Sequence, residues 1–297
     1  MNGKRPTVSI GMPLYNAEQY VAQAIESILG QTFSDFELLI SDNASTDKTG
    51  EICQHFVQTD PRVKYFRNET NLGAAKNFNN VFGLACGKYF KWAAYDDLLA
   101  PEFLGSCVDV LDSDEGTVLC YTAAIQIDAL GEEIKRYRAD LSNVSAEKAE
   151  LRYSDLIRDE YNCLPVFGLI RAEPLKKTPL IGPYIGSDRV LLAELGLHGK
   201  FVELEQSLFF HREHNARSTR AIPLHERAAW FDPKRAKSVV LPYWRYLKEY
   251  ISSVRRSPLS WRGRWLCYRE VVRWVRWYYK KLLGDLTMAA RQATGKR

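Results

Sequence analysis

The first hundred residues alternate between two periodicities. Runs of apolar, largely β-branched or aromatic residues at 7–12, 36–40, 63–66 and 89–93 are too short for stable helices and read as strands. Between them, at 17–29, 47–58 and 74–84, apolar residues recur every three or four positions, the period of a helix with one covered face. Strand and helix in alternation predict a mostly parallel sheet, because successive parallel strands need a crossover and a helix is the usual one. Helices then cover both faces of the sheet. Ser45 and Thr46 stand before the second helix, and Pro101 stands where a further first turn would begin.

From 114 to 222 the pattern is mixed α/β, with strands near 118–121 and 125–127 and a turn at Ala129-Leu130-Gly131. Beyond Pro223 it becomes helical, with breaks at Pro242 and Ser257-Pro258. Charge marks the same division: residues 234–297 hold 17 Lys and Arg against 3 Asp and Glu, so that stretch carries +14 while residues 1–233 carry −9. With 297 residues, 46% of them hydrophobic, the chain can bury one large core or two smaller ones. Cys53, Cys86, Cys107, Cys120, Cys163 and Cys267 show no CxxC pairing, so they read as core residues in a reducing compartment, outside any zinc site or disulfide framework. Lys4, Arg5 and Pro6 lead into a short strand, and no apolar run approaches the roughly 20 residues of a membrane span. Neither a signal peptide nor a spanning helix is expected, and a cytoplasmic protein, free or peripheral to the inner face of the cell membrane, fits.

Ligands of open α/β sheets gather at the carboxyl ends of the strands. The segments that follow the first four strands are all polar: Pro13-Leu14-Tyr15-Asn16, then Ser41-Asp42-Asn43-Ala44-Ser45-Thr46-Asp47, then Arg67 to Gly73, then Ala94-Tyr95-Asp96-Asp97. Asp42, at the end of a buried strand, can accept hydrogen bonds from a base or ribose, and equally suits an Asx turn. Asp96 and Asp97 are adjacent carboxylates that repel unless a cation or a pair of caps joins them. Hard divalent ions such as Mg²⁺ or Mn²⁺ take carboxylates together with substrate phosphates.

Four of these motifs, Thr7 to Asn16, Ser41 to Asp47, Asn71-Leu72-Gly73 and Gly87-Lys88-Tyr89 with Asp96-Asp97, resemble glycosyltransferase family 2 in their order and spacing. The likeness is strongest over residues 6–110 and weaker to about 220. It implies a GT-A type, Rossmann-like sheet flanked by helices, over residues 1–222, with a nucleotide-sugar half to about 113 and an acceptor half from 114. A basic, amphipathic helical extension occupies 223–297. The implied activity is inverting transfer of a sugar from a nucleotide-diphosphate donor, with UDP the commonest base and dTDP or GDP the alternatives. The acceptor is a hydroxyl of a glycan or lipid-linked glycan, in cell-envelope or exported polysaccharide synthesis.

Carried over by position, Pro13, Tyr15, Asn16 and Glu18 line the nucleoside pocket and Asp42 binds the base. Asn71 with Lys76 or Asn77 approaches the donor, beside Tyr95 and Asp96. Asp96 is the main ligand of a divalent ion, Mg²⁺ or Mn²⁺, joined by Asp97 and by His214 downstream. Arg212 holds a phosphate, and His211 and Arg217 are weaker candidates. Asp188, in Gly186-Ser187-Asp188-Arg189, is the base that takes the acceptor proton. It also suits a helix cap. Ala94 stands where the family's first motif aspartate is usual and Ser187 replaces the first of an acidic pair, which leaves room for a non-catalytic nucleotide-sugar-binding or membrane-scaffolding protein on the same fold. A nucleotidyltransferase would instead show a Gly- and basic-rich loop after strand one, which Pro13-Leu14-Tyr15-Asn16 is not.

Trp261, Trp265, Tyr268, Val272, Val275, Tyr279 and Leu282 recur at spacings of four and three, with Arg262, Arg269, Arg273, Arg276 and Lys280 one residue over. Over 261–283 this fits a helix lying on an anionic membrane, or one packed on the preceding domain or on another copy in a homo-oligomer. It contains no nucleic-acid-binding module.

Overall fold

In a computed structural model of the chain, residues 5–139, 141–158, 161–215, 227–233 and 241–293 are described. The strands are β1 (Val8–Leu14), β2 (Phe36–Asp42), β3 (Val63–Arg67), β4 (Tyr89–Trp92), β5 (Leu98–Leu99), β6 (Thr117–Ile127), β7 (Glu133–Tyr137), β8 (Leu169–Arg171) and β9 (Lys200–Arg212). They form one sheet in the order β3-β2-β1-β4-β8-β6-β9-β5, with β7 beside β6. Helices α1 (Val21–Leu29), α2 (Thr49–Thr59) and α3 (Ala74–Leu84) are the crossovers among the first four strands, all of which pair in parallel. Every residue of β1 and β2 is buried, because helices cover both faces, and this is why those strands read as near-continuous apolar runs. Their polar members are paired inside: Ser9 donates to Glu37 at 2.6 Å and Lys64 donates to the same carboxylate at 2.7 Å. The chain steps outward from β1 through β2 to β3 and then returns to β1's other side as β4, so the crevice above β1 is the topological switch point.

Beyond β4 the sheet is mixed. β8 runs antiparallel between β4 and β6, and β9 returns parallel to β6. The two short strands expected at 118–121 and 125–127 are one strand, β6, with the register to β9 shifting at Thr122/Ala123 and Ala123/Ala124. A bulge in the middle of a continuous strand breaks the local alternation and looks in sequence like a gap. Helix α4 (Phe103–Ser113) begins two residues after Pro101. The start of α2 takes its bonds from Asp47, which accepts from the Thr49 N–H at 3.1 Å, and from Glu18, which accepts from the Lys48 N–H at 2.9 Å, with Ser45 and Thr46 engaged elsewhere.

The remaining helices are α5 (Ala149–Arg158), α6 (Ala172–Lys176), α7 (Ser187–His198), α8 (Arg227–Phe231), α9 (Pro242–Arg256) and α10 (Trp261–Ala293), with a 3₁₀ turn at Leu164–Phe167. One apolar core joins α1 and α4 to the first strands, and a second joins α3, α5 and α7 to α9 and α10. The C-terminal helices therefore share a core with the sheet. Tyr153 of α5 donates to the Tyr250 carbonyl of α9 at 2.8 Å, and buried Glu194 of α7 accepts from Arg256 at 2.6 and 3.0 Å and from Ser253 at 3.0 Å. The α10 residues that face this core are Cys267, Val271, Trp274 and Leu282. Of the stripe picked out from spacing, Leu282 is buried and Tyr268 and Val275 half-buried, while Trp261, Trp265, Val272 and Tyr279 are exposed. The helix is apolar around more than half its circumference, so spacing alone finds a stripe without saying which one docks. Among the described residues no helix is long and apolar enough to cross a membrane.

Cys53, Cys107, Cys120 and Cys267 are core residues as expected; Cys163 is half-buried, and Cys86 lies on the surface beside Glu37. Wholly buried Lys91 donates to the Phe167 carbonyl and lies over the rings of Phe103 and Phe209, and burial pushes its pKa down to about 7.

Candidate active site

The loops after β1 and β2 are laced together by reciprocal hydrogen bonds. The Asn16 N–H donates to Ser45 Oγ at 2.9 Å while Asn16 Oδ1 accepts from the Thr46 N–H at 2.9 Å. Glu18 and Asp47 repeat the exchange: the Glu18 N–H donates to Asp47 at 3.1 Å and Glu18 accepts from Lys48. Asn16 (φ 50°) and Ala44 (φ 64°) adopt the left-handed conformation, which folds both loops back over the crevice. Tyr15 is left exposed at its rim, and Pro13 is buried within β1.

Asp42 is fully buried below this cradle. Oδ1 accepts from the Ser45 N–H at 2.8 Å, Oδ2 accepts from the Tyr65 hydroxyl at 2.5 Å, and Arg67 pairs with it at 3.8 Å. The Asx-turn bond is thus formed, and the carboxylate fixes the second loop from beneath. Burial and the bond to Asp42 push the Tyr65 phenol well up. An amide network fixes the third loop: Asn43 donates to Asn71 at 2.8 Å, Asn68 donates to Asn43 and Asn77 at 3.2 and 3.1 Å, and Asn77 donates to the Ser41 carbonyl at 2.9 Å. Asn77 is consumed in this network, whereas Lys76, one residue earlier on α3, is exposed. Of the two candidates for approaching the donor, Lys76 is the one that is exposed. Gly73 (φ 83°) has no room for a side chain, since a Cβ there would lie 2.6 Å from the carbonyl oxygen of Phe231 in α8.

The carboxylates after β4 meet the end of β9. Asp96 Oδ2 lies 2.9 Å from His214 Nε2, and Asp97 Oδ1 lies 3.1 Å from His211 Nδ1 and accepts from the Arg212 N–H at 3.0 Å. Adjacent in sequence, the two acids face different partners. Burial pushes the Asp96 carboxyl above the usual carboxylate range and the charge of Asp97 adds to this, while the bond to His214 opposes it. Tyr95, half-buried beside them, is pushed up to about 12 by burial and by Asp96.

Arg212 has another task than the phosphate contact expected of it. Its guanidinium is buried and donates to the carbonyls of Asp96 (2.9 Å), Asp128 (3.2 Å) and Ala129 (3.3 Å) and to Gln23 (3.0 Å), over the ring of Tyr20. It braces the acidic loop against β9. The donors that remain suited to a divalent ion are Asp96 and His214, one oxygen and one nitrogen, a set that suits Mn²⁺ when phosphate oxygens complete it. Asp97 points into β9. No group of three His, Cys, Asp or Glu forms a ready-made cage among the described residues. Arg217 lies outside the described residues.

Asp188 belongs to a second group, at the start of α7. Gly186 (φ 74°) turns the chain into that helix, and Asp188 Oδ1 accepts from the Arg189 N–H at 2.9 Å. The residue is only partly covered as a whole, but its carboxylate is enclosed by protein; burial pushes it above the usual carboxylate range, against the opposing Arg189 charge and a bond from the Cys163 thiol. Tyr246 of α9 closes this group, with its hydroxyl 2.0 Å from where a Cβ of residue 186 would stand. Neither Cys163 nor Tyr246 was legible as a site residue, since nothing local in the sequence links position 246 to 186.

The profile of glycosyl transferase family 2 matches residues 9–178. Chondroitin synthase of Escherichia coli is 35% identical over 126 residues, 42% of this chain and 18% of that protein. The putative glycosyltransferase EpsE of Bacillus subtilis is 35% identical over 127 residues, 42% of this chain and 46% of that one. The chain spans less than half the length of these curated relatives. Among solved structures, S. aureus TarS 1–349 in complex with UDP-GlcNAc superposes with a TM-score of 0.67 over 96% of this chain and 81% of that one, at 15% identity. Mannosyltransferase PcManGT from Pyrobaculum calidifontis, in complex with GDP-Man and Mn²⁺, does so with a TM-score of 0.54 over 99% and 89%, at 16% identity. At such identities the likeness is one of fold.

Proposed function

The chain belongs to glycosyl transferase family 2, and from that premise we propose that it is an inverting transferase moving a sugar from a nucleoside-diphosphate donor to a hydroxyl of a glycan or lipid-linked glycan, in cell-envelope or exported polysaccharide synthesis. The observation that carries this reading is the convergence, at the switch point of the sheet, of three cross-braced polar loops with the Asp96–His214 pair. Tyr15 and the Asn16-to-Glu18 turn receive the nucleoside, over a floor fixed by Asp42. Lys76, an exposed cation on the first turn of α3 just after the third loop, meets the diphosphate.

Asp96 and His214 would hold the divalent ion, which when bound supplies positive charge to a departing diphosphate. Asp97, His211 and Arg212 keep the Asp96 backbone in place for that role. Asp188 takes the acceptor proton as the acceptor oxygen attacks the anomeric carbon; the carbon–oxygen bond to the diphosphate breaks, and the nucleoside diphosphate leaves with the electron pair. One displacement inverts the anomeric centre and leaves no sugar on the protein. A raised Asp188 carboxyl suits this task, since a base with a pKa nearer neutrality is the better proton acceptor.

Isothermal titration with UDP, dTDP and GDP, each with and without Mn²⁺, tests the reading. Binding of one nucleotide, strengthened at least tenfold by Mn²⁺ and losing that gain in Asp96→Ala, is the expected result. No binding of any of the three with metal present overturns it in favour of a fold retained without its chemistry.

A further inference from the structure

α10 carries two apolar faces, and only one is used. Its inner face is packed on α5 and α9 through Val271, Trp274 and Leu282. On the outer face Trp261, Trp265, Val272, Tyr279 and Leu283 are between 50% and 83% exposed. At 100° per residue these five fall within a 40° arc, on the side of the helix opposite Trp274. Arg262, Arg269, Arg276 and Lys280 lie along the neighbouring edge of that arc, all exposed, with the Arg269 guanidinium 5.7 Å from the Trp265 ring. Both acidic residues of the helix, Glu270 and Asp285, are buried on the inner side. The exposed charges of the outer face are therefore cationic, with buried Glu270 reaching only Arg269 of that row, at 3.7 Å.

We infer that the outer face of α10 docks on an anionic lipid surface, with Trp261, Trp265, Val272, Tyr279 and Leu283 at the acyl boundary and the arginine row on lipid phosphates. Charge complementarity selects this occupant. A second copy of the same face would bring two cationic rows together with only the buried Glu270, 3.7 Å from Arg269, to offset them on each side, and a nucleic acid would leave Val272 and Leu283 without an apolar environment. Tryptophan and tyrosine beside arginine match the headgroup boundary, where the ring is buried and the charge stays wet. The helix lies along the surface, since its inner face is held by the protein and it cannot cross.

The test is flotation of the full chain with neutral phosphatidylcholine vesicles and with vesicles containing about 30% phosphatidylglycerol; it uses no nucleotide, so it is independent of the donor site. Partition onto the anionic vesicles, and its loss at high salt, is expected. Arg269→Gln with Arg276→Gln should weaken it about 30-fold, and Trp261→Ser with Trp265→Ser about tenfold. All four side chains are exposed, so the variants should keep the parent's melting temperature, and its nucleotide titration provides a second check that they are folded. Equal partition onto neutral vesicles, or none onto anionic ones, overturns the inference. So does a dimer, seen by light scattering without lipid, that the tryptophan variant abolishes, or retention on an oligonucleotide in place of vesicles.

Discussion

His214 and Asp96 meet at 2.9 Å across 118 residues of chain, whereas Asp97, the neighbour of Asp96, is turned into the end of β9. The two carboxylates should therefore fail differently. Asp96→Ala removes an oxygen donor that nothing replaces, and metal-dependent nucleotide binding should fall about tenfold or more, about 1.4 kcal/mol or above; it strands one buried group, the His214 ring, so its stability cost should be the smaller of the two. Asp97→Ala leaves the Arg212 N–H and the His211 ring buried without their acceptor, and should cost about 2–4 kcal/mol of stability. Calorimetry with Mn²⁺ and urea denaturation of both variants measure the contrast; equal losses of metal-dependent binding would place both acids on the ion.

Asp188→Asn should abolish transfer and leave donor binding within about threefold, since the Asp188 carboxylate bonds Arg189 and Cys163 and braces none of the cradle loops. The same change should raise stability at neutral pH. A carboxyl whose folded pKa lies above its unfolded value binds more protons folded than unfolded between the two values, so its ionisation subtracts stability as pH rises through that window and the cost persists above it. Asparagine cannot ionise. Melting temperatures of the two proteins should converge below about pH 4 and separate above, and the transfer rate of the parent should climb along an acid limb above the ordinary carboxylate range. A variant that melts lower at pH 7 than the parent would show that the Asp188 charge is structural.

Much of this arrangement was readable in advance because its signals are local. Alternating apolar runs gave β1 to β4 and α1 to α3 to within a few residues, and polar strand ends marked the crevice. What was missed depends on contacts between distant parts of the chain. Arg212 looked like a phosphate ligand because an arginine after a strand offers the right donors, but the acidic loop's carbonyls take them first. Asn77 similarly looked available until Ser41 and Asn68 claimed it. The docking face of α10 was ambiguous because spacing reports apolar stripes and does not say which of two stripes finds a partner.

Glycine positions separate backbone need from accident. Gly186 adopts φ 74° with the Tyr246 hydroxyl in the place of its Cβ, so Gly186→Ala faces both a left-handed backbone and a clash. It should lose about 2 kcal/mol or more and depress transfer, because the turn sets Asp188. Gly83, near the end of α3, has nothing within 4 Å of its Cβ position, and Gly83→Ala should gain up to about 0.5–1 kcal/mol. Denaturant midpoints of the two variants should move in opposite directions.

The ion pair between α7 and α9 tests whether the C-terminal helices belong to the catalytic unit. Glu194 is fully buried and both of its oxygens are engaged by Arg256, with Ser253 adding a third bond. Removing the arginine strands a carboxylate that cannot reach water, so Arg256→Ala should cost about 2–4 kcal/mol. Lys88 and Asp112 form a contact that looks equivalent, but both side chains are about half exposed, and Lys88→Ala should cost less than about 1 kcal/mol. If α9 and α10 were a loosely attached extension, Arg256→Ala would melt them separately and leave the main transition unmoved. A single cooperative transition shifted downward is expected instead, because Tyr250, Val254, Val271 and Trp274 fill the same core as Tyr153 and Leu191.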